Sequence, residues 1–253
     1  RLWGSIGFIV AAILLGIMID SIGEKSLIYA LLLTQLVIFL LAFILPTKKV
    51  IFLAKKKRSI WPILKKREVV VLLLSCALMV SSHGLLYNFY SIFLEQQGYS
   101  GTTIGLLWAV GVIFEIIIFL LMPRILNKFT LKAVLLISLG FAVIRFFLIG
   151  AYVDSMILLF IAQVMHAATF GSFHVASIQL IAHFFYNEHQ ARGQSLYNSI
   201  TYGVGGAIGG LGGGYMIEYS GMANTFMLSA ILPFLGFMVL ILGLKTKFKA
   251  DLK

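Results

Sequence analysis

The sequence has little charge and almost no cysteine. Only 11% of the 253 residues are charged and 60% are hydrophobic, whereas roughly 25% are charged in a typical soluble domain. The single cysteine, Cys76, excludes a disulfide framework, and its apolar neighbours favour a small buried residue. Because charge is scarce, several apolar runs exceed the ~18 residues that mark a membrane-spanning helix. The sequence therefore predicts an all-α polytopic membrane protein.

Motifs of enzymes, metal sites and nucleotide loops are also missing from the sequence. The segment His183–His189, HFFYNEH, has the wrong spacing for H-E-x-x-H, and no G-x-S-x-G occurs. The glycine-rich run YGVGGAIGGLGGGYMIE lies in an apolar segment and matches no phosphate-binding loop. We therefore expect no enzyme activity, no cofactor and no metal.

The apolar runs predict eight transmembrane helices, each about 20 residues or longer, which is enough to cross ~30 Å of hydrocarbon. Of the 20 Lys and Arg residues, all but Lys25 and Arg145 fall on one side of these spans. This bias predicts that both chain ends lie in the cytoplasm. The net charge of +11 is then explained by topology in a lipid bilayer, and nucleic acid is not expected as a partner. The predicted spans are Trp3–Ile22, Leu27–Leu45, Val69–Leu94, Thr103–Leu126, Leu131–Tyr152, Met156–Phe185, Gln194–Tyr219 and Thr225–Leu244.

An internal repeat relates the first two spans to the last two. GIMIDSIG at Gly16–Gly23 resembles GYMIEYSG at Gly214–Gly221, six spans later. Such spacing is typical of two parallel six-helix halves. Residues 1–47 would then hold the last two helices of the first half, residues 48–68 a basic cytoplasmic linker, and residues 69–253 the second half. Because the chain also begins at Arg1 rather than Met, we expect four earlier helices, 1–4 of the same protein, as a missing partner.

Five polar residues inside the spans are candidates for function. Glu115 and Arg145 lie mid-span, where a charged side chain costs roughly 2.5–3.5 kcal/mol, so function is the first interpretation. The alternative is a buried ion pair that only fixes helix packing. His83, Tyr87 and Asn88 lie at helical spacing in the third span and are predicted to line a pocket.

The segment QVMHAATFGSFHVAS contains a polar and aromatic stripe. At about 100° per residue, Gln163, His166, Phe170, His174 and Ser177 share one face of a helix. Such a face is predicted to border a water-filled cavity rather than lipid. The two imidazoles suit proton coupling, because histidine changes charge near neutral pH. Alternatively, each histidine only hydrogen-bonds a neighbouring helix.

Glu115, Arg145 one helix later and His166 in an M-H-x-x-x-F context together resemble the C-terminal half of the lactose permease-like branch of the major facilitator superfamily. The resemblance implies that Glu115 and Arg145 bind substrate and that His166 assists binding and proton coupling. Five further segments are similar to the 3-phenylpropionic acid transporter family; the first of them also occurs in nucleoside:proton symporters. These segments are RLWGSIGFI, SSHGLLYNFYSIFL, IGLLWAVGVIFE, HAATFGSFHVA and GQSLYNSITYGVGGAIGG.

The resemblance implies a major facilitator superfamily fold in a bacterial-type inner membrane, with this chain as spans five to twelve. It also implies a secondary active transporter in which a proton and a small organic solute, such as an aromatic monocarboxylate, enter together by alternating access. Thr169 stands where the lactose permease pattern has an acidic residue, which leaves Glu115, His174 and His166 as proton-coupling candidates. The alternatives are a nucleoside or sugar proton symporter, a drug efflux carrier, or a non-transporting sensor or scaffold. The predicted substrate-binding residues are Arg145, Glu115, His166, Gln163, Phe170, His83, Tyr87 and Asn88.

Overall fold

Helices account for nearly all of the residues that the computed structural model describes, which are residues 2–45 and 59–245. Two short π-helical segments, π1 (Ala167–Ser172) and π2 (Ser199–Gly205), interrupt the α-helices, and no strand occurs in the described ranges. Most of the predicted basic linker at residues 48–68 lies outside those ranges. The α-helices are α1 (Leu2–Ile22), α2 (Lys25–Ala42), α3 (Trp61–Leu64), α4 (Arg67–Gln96), α5 (Gly101–Lys128), α6 (Leu131–Ala151), α7 (Met156–Val164), α8 (Phe173–Phe184), α9 (Gln190–Asn198), α10 (Gly206–Ser229) and α11 (Ile231–Gly243).

Seven helical segments within the described residues are long and apolar enough to cross a membrane. The last of them, Asn187–Gly243, has 57 residues and contains both of the final predicted spans. A straight helix of that length would measure about 85 Å, far more than the ~30 Å of hydrocarbon. Gly221 interrupts it with φ 75° and ψ 166°, a conformation that glycine adopts without steric cost.

Packing against α4 shows that the chain reverses direction at Gly221, within α10. Along α10, the contacts advance along α4 in the same sense, whereas along α11 they run back. The two helices therefore lie side by side on α4 in opposite directions, as two separate membrane crossings require. The neighbouring pairs are Gly205, the last residue of π2, with Ala77, and then Gly209 with Ser81 and Gly213 with Leu85 in α10; in α11 they are Gly236 with Ser75 and Gly243 with Val71.

Hydroxyl side chains determine where three of the spans begin. Ser100, Thr130 and Ser155 each accept a hydrogen bond from the backbone N–H three residues later, at the starts of α5, α6 and α7. These caps satisfy backbone donors that have no partner inside the helix. The connections between these spans can therefore be short, which keeps consecutive helices adjacent.

The sixth predicted span, Met156–Phe185, is not one continuous α-helix. It consists of α7, π1 and α8, with π1 at Ala167–Ser172. Single-turn π segments are frequent at functional sites, and this one lies between His166 and His174. The buried core surrounds α4, α6 and α8, whereas few residues of α1 and α2 are fully buried.

Candidate functional site

A cavity of about 670 Å³ opens between α1, α4, α5, π1 and π2. Its wall is mainly aromatic, and one carboxyl, two imidazoles and two tyrosine hydroxyls also line it. A volume of this size fits a small organic molecule. The lining residues are Gly4, Ser5, Phe8, Tyr87, Trp108, Val112, Glu115, Phe119, His166, Phe170, His174, Asn198 and Tyr202.

Glu115 and His166 meet at the cavity wall. Their side chains lie 3.6 Å apart, between Glu115 Oε2 and His166 Nε2. Two glycines let α5 approach the sixth span this closely: Gly171 lies against Glu115, and Gly111 lies against Gln163 and His166. A larger residue at either glycine would push the two spans apart. The close approach of the two spans at these glycines therefore brings together a carboxyl–imidazole pair that can share a proton.

Three rings of the sixth span form a stack along the cavity. The ring centroids of His166 and Phe170 are 5.2 Å apart with planes at 6°, and those of Phe170 and His174 are 6.1 Å apart with planes at 13°. His174 Nδ1 also lies 3.1 Å from the Tyr202 hydroxyl, which belongs to π2. The beginning of α8 thus contacts π2 through side chains that line the cavity.

Tyr87 and Trp108 supply a second aromatic surface from α4 and α5. Their ring centroids are 6.1 Å apart with planes at 24°, and Tyr87 also meets Phe170 edge to face at 6.4 Å. Rings in such arrangements are rigid and can hold a planar apolar group by offset stacking or edge contacts. The cavity can therefore bind an aromatic ligand between the stack of the sixth span and these two rings.

Arg145 does not line the cavity, although it was predicted to contact substrate. It is fully buried behind the wall. Nε donates to the Ala162 carbonyl at 2.8 Å, one terminal nitrogen donates to Thr169 Oγ1 at 3.2 Å, and the other donates to Gln163 Oε1 at 3.3 Å. A further contact of 3.4 Å joins the guanidinium to His83 Nε2. All of these acceptors are neutral. The positive charge of Arg145 therefore acts on the cavity from behind the residues that line it.

His83 and Asn88 also stay out of the cavity. His83 Nδ1 lies 3.0 Å from the Met79 carbonyl; if that nitrogen carries the proton, Nε2 is the acceptor that faces Arg145. Asn88 donates to the Gly84 carbonyl at 2.7 Å. Of the three α4 residues predicted to line a pocket, only Tyr87 does so.

The outer members of the predicted stripe turn away from the cavity. Gln163 is buried against Arg145, and Ser177 lies 3.5 Å from the sulfur of Cys76. Gln163 Nε2 and His166 Nδ1 are buried without a hydrogen-bond partner among the described residues. Buried polar atoms normally have a partner, so both retain hydrogen-bonding capacity next to the cavity.

Several lining residues were not predicted from the sequence. Trp108 lies seven residues before Glu115, two helical turns away on the same face, and this spacing was a signal for it. Tyr202 and Asn198 lie in the quoted segment GQSLYNSITYGVGGAIGG, but nothing local distinguished them from its other polar residues. Phe8 belongs to α1, which sequence spacing cannot relate to the sixth span.

Comparisons with known proteins agree with this architecture. A model described as the MFS_1 like family matches residues 1–228. The chain is 30% identical over 236 residues to the probable 3-phenylpropionic acid transporter of Escherichia coli (strain K12), covering 91% of this chain and 61% of that protein. It is 23% identical over 238 residues to the uncharacterized transporter YwbF of Bacillus subtilis (strain 168), covering 94% and 59%.

Among solved structures, a crystal structure of the nucleoside transporter NupG (D323A mutant) has the same fold. The TM-score is 0.79 at 19% identity, over 97% of this chain and 67% of that one. The chain thus spans about 60% of the length of the curated relatives it matches. Those relatives are named as transporters, and the apolar helices indicate a multi-pass membrane protein.

Proposed function

Because this chain belongs to the MFS_1-like family, we propose that it forms the greater part of a secondary active transporter. The full protein would move a small organic solute and a proton together by alternating access, in which two helix bundles rock around a central cavity. The observation that supports this most directly is the Glu115–His166 pair at 3.6 Å in the wall of an aromatic cavity.

The proposed solute is an aromatic monocarboxylate. Tyr87, Trp108 and Phe170 offer ring surfaces to an aromatic group. Arg145 offers positive charge, since its contacts within the described ranges are to neutral acceptors. A buried cation with no anionic partner is costly, and a carboxylate near His166 would reduce that cost. The relative named for 3-phenylpropionic acid carries a solute of this chemical class in its name.

The proposed coupling arises from repulsion between carboxylates. Glu115 lines the cavity in which the solute is proposed to bind. An ionised Glu115 would therefore repel the ionised carboxylate of the solute in this low-dielectric space. A proton on the Glu115–His166 pair removes that repulsion. Solute and proton then enter the cavity together, because each makes the other's presence less costly. His174, bonded to Tyr202, is the next imidazole toward the basic side and would accept the proton afterwards.

We further propose that the rest of the transporter supplies the missing wall. In the most apolar stretches of α1 and α2, only 6% of the residues are buried. Lipid or further helices must therefore cover the apolar faces of these two helices. Helices 1–4 of the same protein remain the proposed partner, in a bacterial inner membrane with both ends of this chain in the cytoplasm. The same proposal keeps residues 48–68 as the cytoplasmic linker between the two six-helix halves.

Uptake by the full-length transporter in proteoliposomes tests these roles. With radiolabelled 3-phenylpropionate and an imposed pH gradient, we expect Arg145→Gln to abolish uptake, and Arg145→Lys to restore only part of it because lysine lacks the planar fork. Glu115→Gln should lose accumulation driven by the gradient but keep solute exchange, which needs no net proton movement. The exposed Arg124→Gln and Glu95→Gln are matched controls.

Three results would contradict the proposal. Undiminished uptake in Arg145→Gln would remove Arg145 from the site, and normal accumulation in Glu115→Gln would remove Glu115 from coupling. A panel of aromatic acids, nucleosides and sugars separates the solute classes. If nucleosides or sugars move and aromatic acids do not, the solute class is wrong; if the wild type moves none of them, the transport proposal itself fails.

A further inference from the structure

Small residues form the contact between α1 and the beginning of α5. The backbones of Gly16 and Gly101 touch, and so do those of Ala12 and Gly105. Interfaces of small residues let helices approach closely, and contacts between backbones do not interlock as long side chains do. This surface can therefore close tightly and still separate.

Asp20 adds a polar contact to this interface of small residues between α1 and α5. Its Oδ1 accepts from the Gly101 N–H at 2.7 Å, and its Oδ2 accepts from the Thr102 N–H at 2.8 Å and from the Thr102 hydroxyl at 2.5 Å. Ser100 accepts from the Thr103 N–H, so a carboxylate of α1 completes the cap of α5. The beginning of a helix carries partial positive charge, which strengthens its bond to a carboxylate.

The internal repeat places a second carboxylate in the same setting. In GIMIDSIG and GYMIEYSG, Glu218 occupies the position of Asp20. Both motifs end at a glycine with positive φ, 91° at Gly23 and 75° at Gly221. The four-residue spacing of Ala12, Gly16 and Asp20 recurs in Gly210, Gly214 and Glu218. Glu218 is exposed, and it has no hydrogen bond or ion pair with any other residue described in the structure.

We propose that Asp20 and Glu218 are equivalent latches that hold the cavity closed on the side of the membrane away from the basic loops. Asp20 closes on the first turn of α5, and Glu218 closes on the first turn of a helix supplied by the rest of the transporter. The proposal rests on the alternating-access function above. Because α1 and α5 both line the cavity, through Phe8 and Trp108 among others, their separation at Asp20 would open it.

The test measures access to the cavity directly. In a cysteine-free version of the full-length transporter, Val112→Cys places a thiol in the cavity wall. A membrane-impermeant maleimide is added to vesicles from the side on which Asp20 lies, and the labelling rate is recorded. We expect Asp20→Ala to raise this rate by about tenfold, since it removes three charge-assisted hydrogen bonds. Asp20→Asn should give a smaller increase, because one amide oxygen remains as an acceptor.

Glu218→Ala should also raise the rate, and the double variant should exceed either single variant. Glu24→Ala is the matched control, because Glu24 lies only four residues after Asp20, between α1 and α2, and its side chain makes no capping bond. An Asp20→Ala rate equal to wild type, in protein that elutes as a folded monodisperse species, overturns the latch. A Glu218→Ala rate equal to wild type overturns its equivalence. Labelling needs neither solute nor proton. The labelling result can therefore support the latch even if the transport assay contradicts the proposed function, and it can contradict the latch even if transport is confirmed.

Discussion

Gly209→Ala tests the reversal of the chain and its packing on α4. A Cβ at Gly209 would meet the backbone of Ser81, with the carbonyl carbon at 2.7 Å and the carbonyl oxygen closer still. Ordinary contacts of a Cβ atom begin at 3.4 Å, so α10 and α4 would have to separate by about 0.7 Å or more in a close-packed interior. Backbone atoms cannot rotate away as a flexible side chain can.

Overpacking of this kind typically costs 1–3 kcal/mol. At roughly 2–4 °C per kcal/mol for a chain of this size, we expect the melting temperature of the Gly209→Ala protein to fall by about 2–12 °C. Gly212→Ala, on the same helix, is the matched control, because no atom lies within 4 Å of its added Cβ. Alanine is also a better helix former than glycine by about 1 kcal/mol, so this variant should melt at or above the wild-type temperature.

A thermal melt of the full-length transporter fused to a fluorescent protein, followed by size-exclusion chromatography in detergent, measures both variants. Equal melting temperatures for Gly209→Ala and wild type would show that α10 does not touch α4 at Ser81. The parallel arrangement of α10 on α4, and the reversal at Gly221 inferred from it, would then be wrong.

Two further predictions concern the cavity. In a competition assay, Phe170→Ala should weaken binding of an aromatic acid by about three- to tenfold, which corresponds to the loss of one aromatic pair. Phe160→Ala, on the exposed face of the same span, should leave the affinity unchanged. Equal affinities of the Phe170→Ala and wild-type proteins would exclude ring contact at Phe170. Gly111→Ala should reduce uptake at unchanged expression, because its Cβ would lie 3.1 Å from the Gln163 Oε1 that accepts from Arg145, whereas Gly140→Ala meets no atom within 4 Å and should transport normally.

Some members of the cavity wall were predictable from spacing alone. His166, Phe170 and His174 recur every four residues, so they share one helical face wherever that helix packs. Glu115 was predictable because a carboxyl in an apolar span must face something polar. The π1 segment was not predictable, because its residues have the sequence pattern of a continuous apolar helix. Only the structure shows how Gly171 packs against Glu115 within this segment.

The position of Arg145 could not be predicted either. Its charge inside an apolar span indicated a polar environment, which is correct: the guanidinium lies among Ala162, Thr169, Gln163 and His83. Whether that environment is the cavity or the layer behind it depends on how α6 is rotated relative to its neighbours. Spacing within one helix contains no information about that rotation.

By itself, the sequence determined that this chain is a helical membrane protein and where its spans lie, because hydrocarbon demands long apolar helices whose backbone bonds are satisfied internally. It also determined which polar residues share a helix face, since that follows from a fixed helical repeat. Only the tertiary structure decided which faces meet. The pairing of Glu115 with His166, the stack of Tyr87 on Trp108 and the capping of α5 by Asp20 join residues from different helices. Such contacts depend on how helices pack in three dimensions, and the first and third also depend on the close approach of backbones at glycines.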